Sequence, residues 1–265
     1  MAAQTEPGVA EQPTGAAPLL EIEALRVQYG GVVAVDDVGF HVTPGSIVGL
    51  IGPNGAGKTT LIDALTGYVR PTRGKVRFGG TDITGRRPHR LARAGLARTF
   101  QSVELFDDLN VEENLMVASE LPGPLTALAQ VVLPGRAPRQ EAVDWALGVT
   151  DLTDVARRYP SELSHGRRKL VGVARALATR PSLVLLDEPA AGLDTDETAV
   201  LGAQLRRLPE HGVTILLIDH DMGLVLDVCD TVMVLDFGKL IAQGTPAQIR
   251  ANEKVVEAYL GSSHG

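Results

Sequence analysis

Features that several classes of protein depend on are scarce in this chain of 265 residues. It has one cysteine, Cys229, so no disulfide forms within the chain, and the apolar residues around it predict a reduced, buried thiol in a cytosolic protein. No apolar run approaches the roughly 18 residues that a membrane-spanning helix needs. The formal net charge of -7 argues against non-specific binding to nucleic acid or anionic lipid. Any role at a membrane therefore requires a partner.

The length predicts one α/β domain with an inserted or appended piece. Residues 1–18 are rich in Ala, Pro, Gly, Gln and Thr and contain neither Lys nor Arg. They predict a flexible tail and lack the basic start of a secretory signal. We predict a main domain over residues 19–244, a helical subdomain within it at about 102–180, and a C-terminal helical tail over 245–265.

The most informative stretch begins at Gly52 and matches the pattern G-x-x-x-x-G-K-[ST] without a gap. The apolar run Ile47 to Ile51 predicts a buried strand before it, and Leu61 to Leu65 predicts the first turns of a helix after it. Glycines let consecutive backbone N–H groups turn toward one anion, and the helix N-terminus adds partial positive charge. The predicted nucleotide-binding residues of this phosphate loop are Gly52, Pro53, Asn54, Gly55, Ala56, Gly57, Lys58, Thr59 and Thr60.

Within the phosphate loop, two side chains have distinct expected roles. Lys58 is placed to reach the outer phosphates, and Thr59 is placed to ligate Mg²⁺. The alternative is a glycine-rich turn that binds nothing, but that alternative does not account for the strand and helix on either side of the motif.

Two further apolar runs end in polar residues of the kind that phosphoryl transfer uses. Leu183 to Leu186 predicts a strand buried on both faces and ends in Asp187 and Glu188, while Val213 to Ile218 is followed by Asp219 and His220. Ligands of open parallel sheets lie at the carboxyl ends of the strands, so these ends and the phosphate loop should converge.

We expect Asp187 to hold Mg²⁺ through water, Glu188 to polarise the attacking water and His220 to contact the γ-phosphate. Taken singly, the acidic pair is explained as well by a helix cap, and the histidine by a satisfied polar group. The phosphate loop is what favours the catalytic interpretation.

The N-terminal part predicts an antiparallel flap of short strands over Ile22 to Val27, Val32 to Val35 and Val38 to Val42. Tyr29, followed by two glycines, offers a flat ring for stacking on a base. Taken alone, a packed strand-end tyrosine is the commoner alternative.

Two other stretches have ordinary explanations. Arginines without interleaved aromatic residues predict a solvated helix face: Arg86, Arg87, Arg90, Arg93 and Arg98. The apolar segment Leu125 to Leu133 is bracketed by Pro and Gly and predicts a short helix buried against Trp145 and Leu147, with membrane contact as the alternative.

Ser164 predicts the N-cap of an amphipathic helix, which makes a second possible anion site. One chain seldom needs two such sites for one triphosphate. Two copies arranged head to tail would use both.

Together these residues resemble the ATP-binding cassette (ABC) ATPases from about Leu20 to the end of the chain. The resemblance implies a P-loop NTPase core with a mostly parallel sheet, an antiparallel β flap and an inserted helical subdomain. It identifies the phosphate loop and the acidic pair as the Walker motifs, His220 as the switch histidine and Tyr29 as the adenine-stacking residue. ATP and Mg²⁺ are the implied cofactors.

The resemblance also assigns roles that the residues alone do not reveal. Gln101 is the implied Mg²⁺-sensing residue that communicates with a membrane partner, and Asp194 lies at the implied dimer contact. Ser164, His165 and Gly166 would lie in the signature loop that closes over the ATP of the opposing subunit. The family prefers Gly at the position of His165 and Gln at the position of Arg167, so we expect the departure to alter the rate of hydrolysis and to leave the role of the loop unchanged.

A narrower resemblance is to the larger ATPase subunit of branched-chain amino-acid importers. The segments that carry it are Ala97 to Gln101, Asp187 to Asp194 and Val255 to Gly261. The implied partners are transmembrane permease subunits, a second ATPase subunit, identical or related, in a head-to-tail dimer, and indirectly an extracytoplasmic solute-binding protein. The implied location is the cytoplasmic face of the membrane, as a peripheral protein, with no nucleic acid expected.

Three alternatives stay open from the sequence. Urea and short-chain amide importers are similar in the same segments. A DNA-repair or chromosome ATPase of the same family would act on nucleic acid, but such proteins carry coiled coils or zinc-binding cysteines between the Walker motifs. A soluble P-loop kinase leaves the segment Leu163 to Arg167 unexplained.

Overall fold

The computed structural model describes residues 17–99, 104–119 and 137–261. The predicted roles of Gln101 and of the apolar segment Leu125 to Leu133 fall outside these ranges, as does nearly all of the predicted tail. The strands are β1 Leu20–Tyr29, β2 Val32–Val42, β3 Ile47–Ile51, β4 Arg73–Phe78, β5 Thr81–Asp82, β6 Leu96–Arg98, β7 Leu183–Asp187, β8 Thr214–Ile218, β9 Thr231–Asp236 and β10 Lys239–Gly244. The helices are α1 Lys58–Leu65, α2 Pro88–Arg93, α3 Val111–Ala118, α4 Ala137–Val149, α5 His165–Leu177, α6 Thr195–Arg207, α7 Met222–Val228, α8 Pro246–Arg250 and α9 Glu253–Gly261.

The larger sheet has the strand order β10-β9-β3-β8-β7-β6 and is parallel except for β10, which pairs antiparallel with β9. Every residue of β3 and β8 is buried. Alternate residues of β3 enter opposite cores, with Ile47 and Ile51 in one hydrophobic cluster and Val48 and Leu50 in the other. This explains why the sequence of these strands is continuously apolar.

The smaller sheet is antiparallel, with the order β2-β1-β4-β5, and confirms the predicted β flap. The prediction of separate strands at Val32 to Val35 and Val38 to Val42 was wrong, because one strand spans both segments. The register with β1 shifts where Asp36 and Asp37 intervene, and Asp37 has a φ of 59°. The acidic pair therefore forms a bulge within the strand, although its residue types are typical of a turn.

The basic stretch is only partly helical. Helix α2 covers Pro88–Arg93, but Arg98 ends strand β6 and its side chain is 9% exposed. The prediction that Arg98 lies on a solvated helix face was wrong, because β6 pairs with β7 and places this guanidinium beside two partly buried carboxylates.

The two sheets and their helices confirm the predicted α/β fold class. The domain boundaries at residues 18, 102, 180 and 244 remain predictions. Cys229 is buried, as expected, and burial raises the pKa of its thiol. No helix in the described ranges is both long enough and apolar enough to cross a membrane.

Candidate nucleotide-binding site

The phosphate loop connects the end of β3 to the start of α1, as predicted. Its backbone is tightly enclosed at two glycines. Gly52 has a φ of 152°, and a Cβ there would lie 2.0 Å from the carbonyl oxygen of Leu235. Gly57 has a φ of 99°, and a Cβ there would lie 2.3 Å from the carbonyl oxygen of Ala34. Glycine is required at both positions because no side chain fits.

The Lys58 ammonium group folds back over its own loop. Its Nζ donates hydrogen bonds to the carbonyl oxygens of Gly52, at 2.6 Å, and Pro53, at 2.9 Å. Burial lowers the pKa of Lys58, while the charges of Glu188 and Asp187 act in the opposite direction. The loop therefore holds a cation close to Asp187, which ends β7, and to Glu188, which follows it.

The N-terminus of α1 has no competing anion of its own. Its N-cap residue is Gly57, no side chain caps it, and its first turn contains no acidic residue. The first N–H groups of a helix lack intrahelical partners and carry partial positive charge. With Lys58 beside them, they form a cradle that fits a phosphate chain.

Asp187 and Glu188 follow the buried part of β7 and are held by the neighbouring strands. The backbone N–H of Asp187 donates to Thr99 Oγ1 at 3.2 Å. The backbone N–H of Glu188 donates to the carbonyl oxygen of Ile218 at 2.7 Å, and Glu188 has a φ of 49°. A positive φ at a glutamate is strained, and such strain is concentrated at functional sites.

His220 lies beside Glu188, as the strand order predicts. Its Nδ1 is 3.9 Å from Glu188 Oε2 and 3.6 Å from Asp219 Oδ1, and its side chain is 62% exposed. Asp219 is fully buried and accepts hydrogen bonds from the backbone N–H groups of Ala190, at 3.1 Å, and Asp221, at 3.0 Å. Asp219 therefore ties together the loops after β7 and β8 that carry Glu188 and His220.

Sequence reasoning missed a buried lysine near these carboxylates. Lys169 on α5 is 7% exposed. Burial lowers the pKa of its ammonium group, and the charges of Asp219 and Glu188 oppose that effect. Its position in an amphipathic helix gave no signal, because its charged partners lie about 20 and 50 residues later in the chain.

The donor set at this end of the sheet fits Mg²⁺ only together with a nucleotide. Within the described ranges no group of three or more His, Cys, Asp or Glu side chains is arranged to hold a metal ion. Of the residues that the structure describes, Asp187 and the hydroxyl group of Thr59 are the donors predicted for this ion. Mg²⁺ in such sites is held by one or two protein oxygens and completed by substrate phosphates and water, so this small set is sufficient.

The residues of the predicted signature loop contact each other and α6. Ser164 is the N-cap of α5 and its side chain accepts a hydrogen bond from the N–H of Arg167 at 3.3 Å. The N–H of Gly166 donates to Glu197 Oε1 at 2.9 Å. His165 Nε2 lies 3.3 Å from the position that a Cβ on Gly192 would take. These hydrogen bonds stay local, and none of them reaches the phosphate loop.

The remaining predicted residues lie at the rim of the site. Tyr29 ends β1 with half of its surface exposed, so its ring is available for stacking. Pro53, Asn54, Gly55 and Ala56 line one side of a cleft of about 560 Å³, and Phe237 and the C-terminal helix α9 line the other. Thr60 lies in the first turn of α1. Asp194 caps the N-terminus of α6 through a hydrogen bond from the N–H of Glu197 at 2.8 Å.

The C-terminal helix also touches the phosphate loop directly, which the sequence did not indicate. The Tyr259 hydroxyl group makes a hydrogen-bonding contact with the backbone of Gly52, while burial raises the pKa of that hydroxyl. The end of the described chain is therefore part of the surroundings of the phosphate loop.

Comparison with known proteins decides the family. The family model described as "ABC transporter" matches residues 35–191, which include the phosphate loop, the α5 N-terminus and the acidic pair. The chain belongs to the ABC transporter family. A second model, described as "Branched-chain amino acid ATP-binding cassette transporter", matches residues 239–265 of this cassette.

Curated relatives cover nearly the whole cassette. It is 42% identical over 252 residues to the high-affinity branched-chain amino acid transport ATP-binding protein BraF of Pseudomonas aeruginosa, covering 93% of this chain and 99% of BraF. It is 41% identical over 253 residues to LivG of Escherichia coli, which carries the same description, covering 93% and 99%. It is also 36% identical over 243 residues to the lipopolysaccharide export system ATP-binding protein LptB of Haemophilus influenzae, covering 92% and 97%.

Solved structures agree with the fold. The ADP conformation of MJ1267, an ATP-binding cassette of an ABC transporter, is 32% identical to this cassette with a TM-score of 0.83, covering 93% of this chain and 100% of that one. A nucleotide-free cassette from an ABC transporter gives a TM-score of 0.80 at 32% identity, covering 92% and 99%. The family binds ATP and hydrolyses it to drive transport.

Proposed function

We propose that this cassette is the ATP-hydrolysing subunit of a branched-chain amino-acid importer. The observation that carries the proposal is the match of residues 239–265 to the C-terminal model of that transporter group. This segment lies outside the part matched by the general family model, so it adds information on the kind of transporter. The relatives BraF and LivG, at 42% and 41% identity, point to the same solute class.

The residues of the site have separable roles in this proposal. The α1 N-terminus and Lys58 bind the phosphates, and Thr59 and Asp187 hold Mg²⁺, which when bound neutralises phosphate charge. Glu188 orients and polarises the attacking water, and His220 beside it contacts the γ-phosphate. Tyr29 stacks on the adenine, and Ser164, His165 and Gly166 meet the ATP bound by a second ATPase subunit. Gln101 remains the proposed link to the permease.

The permease contact belongs in the cleft between α2, β6 and α5, which has a volume of about 770 Å³. Two aromatic side chains on its lining, Tyr68 and Phe106, are 56% and 43% exposed. Arg175 lies over the Phe106 ring at 5.4 Å. Exposed aromatic and arginine side chains are enriched in protein interfaces, so a cytoplasmic segment of a permease is the occupant we assign. The cassette would then work at the cytoplasmic face of the membrane.

Reconstitution tests the proposal. Permease proteins that co-purify with the tagged cassette are placed in liposomes, and MgATP hydrolysis is measured as solute-binding protein is added. We expect stimulation by binding protein loaded with leucine, isoleucine or valine. Stimulation only by binding protein loaded with urea or a short-chain amide would reassign the solute.

The chemical step is tested with Glu188→Gln in the same liposomes. The amide keeps the shape of the side chain but loses its negative charge, so hydrolysis should fall by about a hundredfold or more, as expected when general-base assistance is lost. ATP affinity should change little, and loaded dimers should accumulate. Hydrolysis at the wild-type rate would show that Glu188 has a structural role and no catalytic one.

A further inference from the structure

Arg98 is a charged residue with a buried side chain whose position the family assignment leaves unexplained. It ends β6, and its guanidinium spans two carboxylates from different elements. Nη1 donates to Asp63 Oδ1 at 2.6 Å, and Nη2 donates to Asp187 Oδ2 at 2.8 Å. The side chains of Arg98, Asp187 and Asp63 are 9%, 13% and 28% exposed. One buried cation therefore joins α1 to the end of β7.

This arrangement depends on the geometry of arginine. Burial alone would lower the pKa of the guanidinium, but the hydrogen bonds to Asp63 and Asp187 and the charges of these two carboxylates together raise it. The planar fork of arginine directs its two terminal nitrogens at two acceptors at once, whereas a lysine ammonium is a single point charge on a flexible stem. The site therefore requires the shape of arginine as well as its charge.

The two elements that Arg98 joins carry the donors expected for the metal and the phosphates. Helix α1 begins with Lys58 and Thr59, and Asp63 lies one turn after Thr59 on the same helix. Strand β7 ends at Asp187. Arg98 thus fixes the carboxylate of Asp187 relative to the hydroxyl group of Thr59.

We propose that Arg98 is a positioning residue that orients the Asp187 carboxylate toward the Mg²⁺ of bound MgATP. The inference rests on the proposed function, because it concerns the same nucleotide site. Arg98 bonds Oδ2 of Asp187, and the carboxylate held in this way would take part in holding Mg²⁺, directly or through water. Loss of a group that orients a metal ligand in this way lowers metal affinity or activity by about tenfold to a hundredfold.

The side chain also faces the cleft assigned to the permease. The guanidinium carbon of Arg98 lies 5.7 Å from the centre of the Tyr68 ring, and both residues line that cleft. A single residue thus contacts the metal-binding carboxylate on one side and the docking cleft on the other.

The test measures binding of a fluorescent ATP analogue with and without Mg²⁺, in Arg98→Met, Arg98→Lys and Asp63→Asn. We expect metal-free binding within about twofold of wild type, while the gain in affinity that Mg²⁺ provides falls by about tenfold or more in Arg98→Met. Arg98→Lys should recover only part of that gain, because it restores the charge without the fork. Asp63→Asn should also lower the gain in affinity from Mg²⁺, by a smaller factor.

Arg77→Met is the matched control. Arg77 also bonds two carboxylates, Glu21 and Glu23, but these lie on the β flap and not beside the phosphate loop. It should leave the Mg²⁺ dependence unchanged. If Arg98→Met does not fold, circular dichroism will show no melting transition. In that case Arg98→Lys and Asp63→Asn test whether Arg98 affects Mg²⁺ binding.

Three outcomes would overturn the inference. Unchanged Mg²⁺ dependence in the Arg98 and Asp63 variants would show a structural role only. A larger gain in affinity from Mg²⁺ in the variants than in wild type would show that Arg98 competes with the metal for Asp187. Failure of the wild-type cassette to bind MgATP would remove the proposed function and this inference with it, whereas failure of the variants alone to change metal dependence removes only the inference.

Discussion

The N-termini of α1 and α5 are chemically opposite, although both are predicted to meet phosphate. At α1 the N-cap is Gly57, and neither a capping side chain nor an acidic residue is present. At α5 the N-terminal N–H groups already have oxygen acceptors, since Ser164 accepts from Arg167 and Glu197 accepts from Gly166. An anion enters the first end without displacing a side chain, whereas at the second it must compete with a carboxylate.

This difference predicts which of the two helix ends binds phosphate first. Unsatisfied N–H groups at a helix start are a ready anion site, so the phosphate loop should bind nucleotide in a single copy of the chain. Hydrogen bonds already made at α5 offset most of the gain from a new phosphate contact. We therefore expect the α5 end to engage phosphate only when a second subunit brings nucleotide to it, as the proposed dimer requires.

The largest effect should come from removing the Lys58 ammonium group beside the N-terminus of α1. Lys58→Ala should weaken ATP binding by about a hundredfold or more, since charge-assisted hydrogen bonds to phosphate are lost. Titration with a fluorescent nucleotide measures the change. Lys239→Ala is the control, because that lysine is 66% exposed and pairs with Asp36 on the surface. Unchanged affinity in Lys58→Ala would reject the phosphate-loop assignment.

Next in size is the backbone of the open site. Gly57→Ala forces a Cβ to within 2.3 Å of the Ala34 carbonyl oxygen at a φ of 99°. We expect a loss of about 1–3 kcal/mol in the free energy of unfolding, together with weaker nucleotide binding. Thermal denaturation measures the first quantity. Gly31→Ala, where a Cβ meets open space, should be nearly neutral. Equal stability of the two variants would contradict the enclosed geometry of the loop.

A smaller effect is expected at the capped helix. Ser164→Ala removes the side-chain acceptor at the N-cap of α5 and should lower the free energy of unfolding by about 1 kcal/mol. Binding of ATP to the isolated chain should not change, because this end does not contact the phosphate loop. Weaker ATP binding by the monomeric Ser164→Ala variant would contradict the proposed difference between the two helix ends.

The smallest effect should come from Glu197→Gln. The amide oxygen still accepts from Gly166, so only the charge near the helix N-terminus is lost, which is worth about 0.3–1 kcal/mol. We expect ATP-induced dimers, trapped with Glu188→Gln, to form at modestly lower protein concentration, as light scattering would show. Dimers that require a higher concentration would mean that the carboxylate supports the interface and does not compete for it.

Local patterns in the sequence were sufficient for the framework of the site. The apolar runs of β3, β7 and β8 and the polar residues that end them predicted where Lys58, Asp187 and His220 converge. The strands and the loop were predicted correctly because a fully buried strand and a glycine-rich turn are defined by adjacent residues. The roles of these side chains toward nucleotide remain predictions.

The contacts that the sequence did not reveal all join distant segments. Arg98 was assigned to a solvated face because it ends an arginine-rich stretch without interleaved aromatic residues, yet its acceptors come from Asp63 and Asp187. Glu197 lies in the first turn of α6, but its carboxylate accepts a hydrogen bond from the N–H of Gly166 on α5. No periodicity within a helix or strand specifies a partner in another element, so side chains of this kind need the tertiary structure.

The strand order has a consequence for the biosynthesis of the protein. The phosphate-loop strand β3 lies between β8 and β9, and the N–H of Ile47 donates at 2.8 Å to Asp230, a residue 183 positions later. At synthesis rates of about 5–20 residues per second, the loop leaves the ribosome roughly 10 to 40 s before the residues that enclose it are made. During that interval β3 is an apolar segment without sheet partners, and it depends on chaperones or on early neighbours to stay unaggregated. Competence to bind nucleotide is thus acquired late, after β9 has been translated.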